Sequence, residues 1–248
     1  MLTLIMLVNL LPVTTSALET TLSGNCGATE DDNVVWNLTQ NNTDEQNPTY
    51  TLTISGKGRM ADYFYFGNTA PWKSVNYNEV TVEDGVTSIG DYAFYKSFIS
   101  SIVLPESVQS IGEAAFNWSS LATIELPTGL SSIGEACFMS SKVSKITIPR
   151  TVNSLEKASL ADIEEIYFEG DAIELTDDAQ WLYYGPDEGR NITLYYKQGT
   201  AGWTDSGVYD ATNSTWNGYK LQLWDDKANA DVSDNIVSLF PKNNSTGV

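Results

Sequence analysis

Apolar residues recur along the middle of the chain with a period of 22 residues. The repeated phrase stands three times: SIGDYAF from Ser88, SIGEAAF from Ser110 and SIGEACF from Ser132. Catalytic motifs seldom occur in near-identical triplicate at a fixed spacing, whereas structural repeats do. The pattern predicts stacked coils whose Ile, small residue and Phe form the core. Cys137 takes the small position, so we expect a buried thiol that packs like alanine.

A second apolar pattern of the form L-x-x-L-x-L follows each phrase. Its copies are Ile99-Ile102-Leu104, Leu121-Ile124-Leu126, Val143-Ile146-Ile148 and Ile163-Ile166-Phe168. The last two members of each triplet have the spacing of side chains on one face of a strand. Proline follows the first three strands and ends them, because it lacks an N–H. The units are expected to stack into a parallel sheet, with Leu155–Asp171 as a degenerate last copy.

The segments on both sides of the repeats alternate between apolar and polar residues, which is typical of half-buried strands. The alternation covers residues 34–38 and 50–54 before the repeats, and 192–196 and 221–223 after them. The predicted fold is mainly β: a short leucine-rich-repeat solenoid of 22-residue units with N- and C-terminal β caps. The predicted boundaries are 18–78 for the first cap, 79–171 for the repeats, 172–224 for the second cap and 225–248 for a polar tail.

The N-terminal segment 1–17 has an apolar run from Leu2 to Val13, followed by Thr15-Ser16-Ala17. This pattern predicts a secretory signal peptide cleaved near Ala17. No Lys or Arg precedes the run, and a mis-assigned start or a short buried strand is the alternative. The run is too short to span a bilayer. We therefore expect a secreted or extracellular-surface protein without a membrane span.

Charge and composition narrow the chemistry further. The formal net charge is −19, from 13 basic and 32 acidic residues, which disfavours nucleic acid as a partner. Histidine is absent, so His-dependent nucleophile triads and His-based zinc sites are excluded. Acidic clusters at residues 30–32, 177–178, 187–188 and 225–226 are interpreted as solvated loops, with calcium binding as the alternative. No cofactor, metal site or enzymatic activity is expected.

Asn-x-Ser/Thr sequons are a mild excess over chance for a chain this rich in Asn, Ser and Thr. The candidate glycosylation sites, if the source is a eukaryote, are Asn37, Asn41, Asn117, Asn191 and Asn213, with further sequons at Asn243 and Asn244.

The repeated text, read as SIGxxAF followed by LxxIxLPxSVxS, resembles the BspA-type leucine-rich-repeat family. The flanking text resembles the same proteins, in LTISGKGRM from Leu52 and in ITLYYKQGTAGWT from Ile192. The resemblance implies a solenoid on surface or secreted proteins of gut bacteria and mucosal protists. The chain departs from the family in its 22-residue unit and in its short array, which disfavours a large adhesive face.

The residue between the two inward strand positions is expected to face solvent. These candidate ligand-binding residues, here termed the outer row, are Thr81, Val103, Glu125, Thr147 and Tyr167. Trp118 is a further candidate, because neighbouring units carry Lys96 and Ser140 at its position. We expect a monomeric, non-catalytic binding or adhesion module that recognises a protein or a glycan. A purely structural spacer or coat protein is the alternative, and a carboxylate glycosidase is a more remote one.

Overall fold

The computed structural model describes residues 22–42, 46, 48–174, 180–183, 185–186 and 188–224. The predicted signal peptide (1–17) and polar tail (225–248) lie outside this part of the chain. The strands, in chain order, are β1 (Leu22–Asn25), β2 (Val35–Gln40), β3 (Tyr50–Ser55), β4 (Gly58–Arg59), β5 (Tyr77–Val82), β6 (Val86–Ile89), β7 (Ser101–Ile102), β8 (Ser110–Ile111), β9 (Thr123–Ile124), β10 (Ser132–Ile133), β11 (Lys145–Ile148), β12 (Ser154–Leu155), β13 (Glu165–Phe168), β14 (Thr193–Tyr196), β15 (Tyr209–Asp210), β16 (Thr215–Trp216) and β17 (Tyr219–Leu223). The described residues contain no helix.

The repeats form a β solenoid, as the apolar pattern predicts. Each coil contributes one strand to a first parallel ladder, in which β7 pairs with β9 and β11 with β13. Each coil contributes a second strand to a parallel sheet in the order β12-β10-β8-β6-β4. The inward strand positions of the first ladder are buried, except Ile124 and Leu126, which are half-buried. The spacing of two along a strand therefore identifies the core side of the ladder.

The third side of each coil is a turn, and backbone hydrogen bonds join these turns from coil to coil. The Tyr92, Phe94 and Lys96 amides donate to carbonyl oxygens of the next coil at 2.8, 2.8 and 2.9 Å. The coils stack so closely here that a Cβ on Gly112 would lie 2.7 Å from the Asp91 backbone nitrogen. Glycine therefore recurs in the phrase because of close approach between coils, and not because the chain needs a helix there.

A column of aromatic rings fills the space behind these turns. Phe94 stacks on Phe116 at 5.4 Å and Phe116 on Phe138 at 5.6 Å, measured between ring centroids, with interplanar angles of 7° and 4°. Trp72 continues the column before the first phrase, 6.0 Å from Phe94. Cys137 is fully buried beside this column and Cys26 is buried near the N-terminal strands, and both are free thiols. The expectation for Cys137 is confirmed.

The two ends of the solenoid differ in strand direction. At the N-terminal end, β1, β2 and β3 form an antiparallel sheet, and β3 joins β5 in parallel. At the C-terminal end, β14 and β17 extend the first ladder in parallel before β16 and β15 turn back. The strands predicted from the alternation are present in both flanks. The C-terminal ones are additional rungs of the ladder rather than a separate layer.

Candidate functional site

The outer row follows the first ladder. Thr81 bridges to Val103 in parallel, and Thr147 pairs with Tyr167. Thr81, Val103, Glu125 and Thr147 are exposed, as the strand spacing predicts. These residues present two threonine hydroxyls, one apolar side chain and one carboxylate on a face whose chemistry changes from coil to coil.

Tyr167 is a correction to the expected row, because its side chain is only 4% exposed. The additional rung β14 places Tyr195 against it, with ring centroids 4.2 Å apart and nearly parallel. Trp224 packs on its edge at 5.3 Å, and the Lys145 ammonium lies 4.3 Å from its centroid. The Tyr167 hydroxyl donates to Glu165 at 2.9 Å. Burial and this carboxylate raise the pKa of Tyr167. Its ring is covered by the ladder that the C-terminal strands extend.

Trp118 is exposed, as the sequence predicts, with 61% of its surface accessible. Its backbone is left-handed, with φ of 57°, and so are Lys96, Ser140 and Asp162 at the same position of the other coils. A left-handed residue other than glycine costs about 1–3 kcal/mol, and a bulky side chain is rare there. Coil geometry therefore imposes the conformation but does not require an aromatic ring at this point.

The sequon residues lie in different environments. Asn117 is buried, and its side-chain amide donates to the Ala136 carbonyl at 3.1 Å. A glycan on Asn117 would have to displace this hydrogen bond between coils, so the structure disfavours this site, and its glycosylation stays a prediction. Asn41, Asn191 and Asn213 are exposed and Asn37 is half-buried, and their glycosylation stays a prediction. Asn243 and Asn244 lie outside the described residues.

A second surface brings aromatic and lysine side chains together beside the turns. This aromatic–lysine surface consists of Tyr65, Phe66, Tyr95, Trp118, Lys73 and Lys96. The Tyr65 ring packs edge-to-face on Phe66 at 4.0 Å and on Tyr95 at 5.2 Å. Phe66 is 79% exposed, so the cluster does not belong to the core.

Both lysines of this surface lie over aromatic rings. The Lys96 ammonium is 5.1 Å from the Tyr65 centroid, 5.2 Å from Tyr95 and 5.9 Å from Trp118. The Lys73 ammonium is 5.7 Å from both tyrosine rings. Hydrogen bonding with Tyr95 raises the pKa of Lys96 above its ordinary value. The surface therefore holds two positive charges close together in a strongly acidic chain.

A pocket of about 260 Å³ adjoins this surface. Its wall includes Tyr92, Tyr95 and Phe98, together with both lysines and no acidic residue. The buried Ser97 hydroxyl also lines it and makes no well-formed hydrogen bond. Nearby, the Tyr92 hydroxyl donates to Glu113 at 2.6 Å, and this hydrogen bond raises the pKa of Tyr92 to about 12. The pocket combines ring faces, free polar atoms and positive charge.

Asp32, in the acidic cluster at residues 30–32, has structural hydrogen-bond partners. Asp32 accepts hydrogen bonds from the Arg59 amide at 2.9 Å and the Thr29 hydroxyl at 2.9 Å, and these bonds lower its pKa. Within residues 22–42, 46, 48–174, 180–183, 185–186 and 188–224, no three His, Cys, Asp or Glu side chains cluster as a metal site would require. The same residues include no helix long and apolar enough to cross a membrane. The acidic pairs at 177–178 and 225–226 lie outside the described residues.

The sequence pattern identifies only Trp118 of the aromatic–lysine surface. The other members lie before the first phrase or directly after it, at positions that vary between the copies, so that no repeat singles them out. One available signal is the run Tyr63-Phe64-Tyr65-Phe66, in which four aromatic residues stand together. Even in a strand, only every second side chain of such a run could be buried, so some of these rings must be exposed. In the structure Tyr63 is buried, whereas Phe64, Tyr65 and Phe66 are exposed.

Comparison with known proteins agrees with the repeat assignment. The model of the BspA type leucine rich repeat region matches residues 65–179 in six copies. The match begins before and ends after the 79–171 interval predicted for the repeats. No curated protein matches the chain.

Two solved leucine-rich repeat proteins of bacteria resemble the chain. The protein from Eubacterium ventriosum is 26% identical over 60% of this chain, with a TM-score of 0.44. The protein from Bacteroides ovatus is 20% identical over 64% of this chain, with a TM-score of 0.38. The matched regions cover 44% and 48% of those chains, so this chain corresponds to less than half of each.

Proposed function

Residues 65–179 form a BspA-type leucine-rich-repeat region, and on that premise we propose that the chain is a secreted or cell-surface, non-catalytic binding module. Its ligand lies on the aromatic–lysine surface. The apolar run from Leu2 to Val13 supports export, and the repeat family, which is typically surface-associated and non-catalytic, supports the rest of the assignment.

The observation that carries the proposal is the exposure of clustered rings. Phe66 and Trp118 are 79% and 61% exposed, and Phe98 at the pocket is 79% exposed. Single exposed apolar residues are ordinary on a protein surface, but contiguous ones mark interaction sites. Aromatic side chains are also enriched where binding energy concentrates, because they bury a large area at a small cost in conformational entropy.

The outer row is a second candidate surface for a partner. Thr81, Val103, Glu125 and Thr147 are exposed on neighbouring rungs, and their side chains differ while the inward positions repeat. A solenoid commonly presents such a face to a protein. A spacer or coat protein remains the alternative to any binding role, and it predicts that neither surface has a ligand.

The test is ligand capture by the purified protein on a glycan array and an extracellular-protein array. The site variant is Phe66→Ser with Trp118→Ser. The matched control is Val208→Ser with Leu223→Ser, which removes apolar side chains that are 48% and 52% exposed elsewhere. We expect capture by the wild type and the control and its loss in the site variant. Equal capture by all three would place the ligand on another surface, and no capture at all would favour the spacer.

A further inference from the structure

The aromatic–lysine surface also indicates what kind of ligand it takes. Building on the proposed binding role of this surface, we infer that its ligand is an acidic sugar residue. The sugar ring packs against the aromatic side chains at the pocket, and its carboxylate or sulfate group is held between Lys73 and Lys96.

The placement of the two lysines favours an anion. Both ammonium groups lie over the same two rings, Tyr65 and Tyr95, at 5.1–5.7 Å from their centroids. Two like charges that share one location repel each other, and the ring faces offset this only in part. Neither lysine forms an ion pair with any described residue. An anion between them would lower the electrostatic energy of the surface.

The pocket favours a single small ring over an extended ligand. Its volume of about 260 Å³ is below the roughly 300–1,000 Å³ of sites for drug-sized ligands. Tyr92, Tyr95 and Phe98 supply ring surface, which matches the C–H face of a pyranose.

Free polar atoms at the same pocket match the hydroxyl groups of a sugar. Ser74 and Asn76 line the pocket and are exposed. Ser97 is 8% exposed, and its hydroxyl makes no well-formed hydrogen bond. It faces Tyr77, whose pKa is raised by burial and in part lowered by Ser97. The Ser97 hydroxyl is therefore enclosed beside Tyr77, and the exposed Ser74 and Asn76 are the side chains that can reach a sugar hydroxyl.

The charge of the whole chain separates this ligand from longer polyanions. A net charge of −19 repels an extended phosphate backbone, whereas two local ammonium groups can still hold one carboxylate or sulfate. The attraction is therefore local, and it should weaken with added salt.

The test measures equilibrium binding of defined sugars at 50 and 300 mM NaCl. The probes are sialyllactose and a galacturonic acid trimer for carboxylates, sulfated lactose for sulfates, and lactose and a chitin trimer as uncharged sugars. The charge variant is Lys73→Gln with Lys96→Gln, and the matched control is Lys142→Gln with Lys220→Gln. All four lysines are exposed, so both variants carry the same charge change on a folded protein, which thermal melting checks.

We expect at least one acidic probe to bind, to bind more weakly at the higher salt concentration, and to lose tenfold or more affinity in the charge variant only. Carboxylate and sulfate probes then identify which anion is preferred. Equal affinity for charged and uncharged sugars would overturn the inference. Loss of binding in the Phe66→Ser, Trp118→Ser variant without loss in the charge variant would also overturn it, while leaving the binding role intact. No binding of any acidic sugar probe would overturn the sugar assignment.

Discussion

The turns carry two sets of aromatic side chains, one that points into the core and one that points into solvent. Phe116 points inward and is fully buried, and Trp118, two residues later, points outward and is 61% exposed. The inner rings, Trp72, Phe94, Phe116 and Phe138, form a continuous stack. Among the outer rings, Tyr65 meets Phe66 and Tyr95 edge-to-face, and both lysines lie over Tyr65 and Tyr95. Trp118 joins this set through Lys96. The inner set repeats and the outer set does not, which fits packing for the first set and the recognition proposed above for the second.

The largest expected effect is on the inner stack. Phe116→Ala removes a ring that contacts rings on both sides, and we expect it to lower the free energy of unfolding by about 3–5 kcal/mol, the usual cost of a buried Phe→Ala change. Urea denaturation followed by tryptophan fluorescence measures this. Phe138→Leu is the control, because the next coil carries Leu160 at the same position, and its expected cost is below about 1.5 kcal/mol. A loss below about 1.5 kcal/mol in Phe116→Ala would show that the stack has no special role.

The next effect tests the close approach between turns. Gly112→Ala would place a Cβ 2.7 Å from the Asp91 nitrogen and 2.9 Å from the Gly90 carbonyl carbon. Backbone cannot move away without disturbing the stacked coils, so we expect a loss of about 1–3 kcal/mol in unfolding free energy. Gly207→Ala is the matched control, because a Cβ there meets nothing within 4 Å. A stable Gly112→Ala protein would show that the turns are looser than the structure indicates.

A change in the outer rings is expected to have a small effect on stability and a clear effect on ligand binding. Trp118→Ser introduces the residue that the next coil carries at Ser140, and it should change the unfolding free energy by less than about 0.5 kcal/mol. Ligand affinity should fall roughly tenfold, since truncation of a central aromatic contact costs more than about 1 kcal/mol. The reverse exchange, Ser140→Trp, should fold without gaining affinity. A large loss of stability in Trp118→Ser would assign the ring to packing.

The smallest effect is expected on the outer row. Glu125→Gln removes one exposed charge that has no ion pair among the described residues, and it should leave stability within about 0.5 kcal/mol of the wild type. Binding at the aromatic–lysine surface should also be unchanged. A protein ligand found on the array whose affinity falls in Glu125→Gln would instead show that the outer row is the recognition face for that partner.

The core positions of the repeats are predictable from the sequence because every coil packs equivalent side chains against its neighbours. The inward residues of each strand, the glycine and the phenylalanine recur at one spacing, and the structure buries them apart from Ile124, Leu126 and Gly112, which are half-buried. Cys137 follows from the same logic, since its position accepts only a small side chain. The outward positions Thr81, Val103, Glu125 and Thr147 are predictable as exposed from strand alternation alone.

The burial of Tyr167 and the aromatic–lysine surface are not predictable in this way, because they depend on contacts between segments that are not copies of the same repeat. Tyr167 is covered by Tyr195 and Trp224, which come from later parts of the chain. The sequence of its own coil does not predict these two contacts. The aromatic–lysine surface joins Tyr65 and Lys73, which precede the first phrase, to Tyr95 and Lys96 within a coil. Such contacts depend on how the coils stack and on how their side chains are oriented. A periodic sequence pattern encodes neither of these two properties.

The turn-to-turn hydrogen bonds have a consequence for how such a protein can change in length. Because each coil presents the same donors and acceptors to the next, a whole coil duplicated after Ser140 would find its partners already in place. Each duplication would lengthen the rod by about 4.8 Å, the distance between neighbouring strands. The aromatic–lysine surface lies between residues 65 and 118 and would stay intact. Reach and specificity can thus evolve separately in one chain.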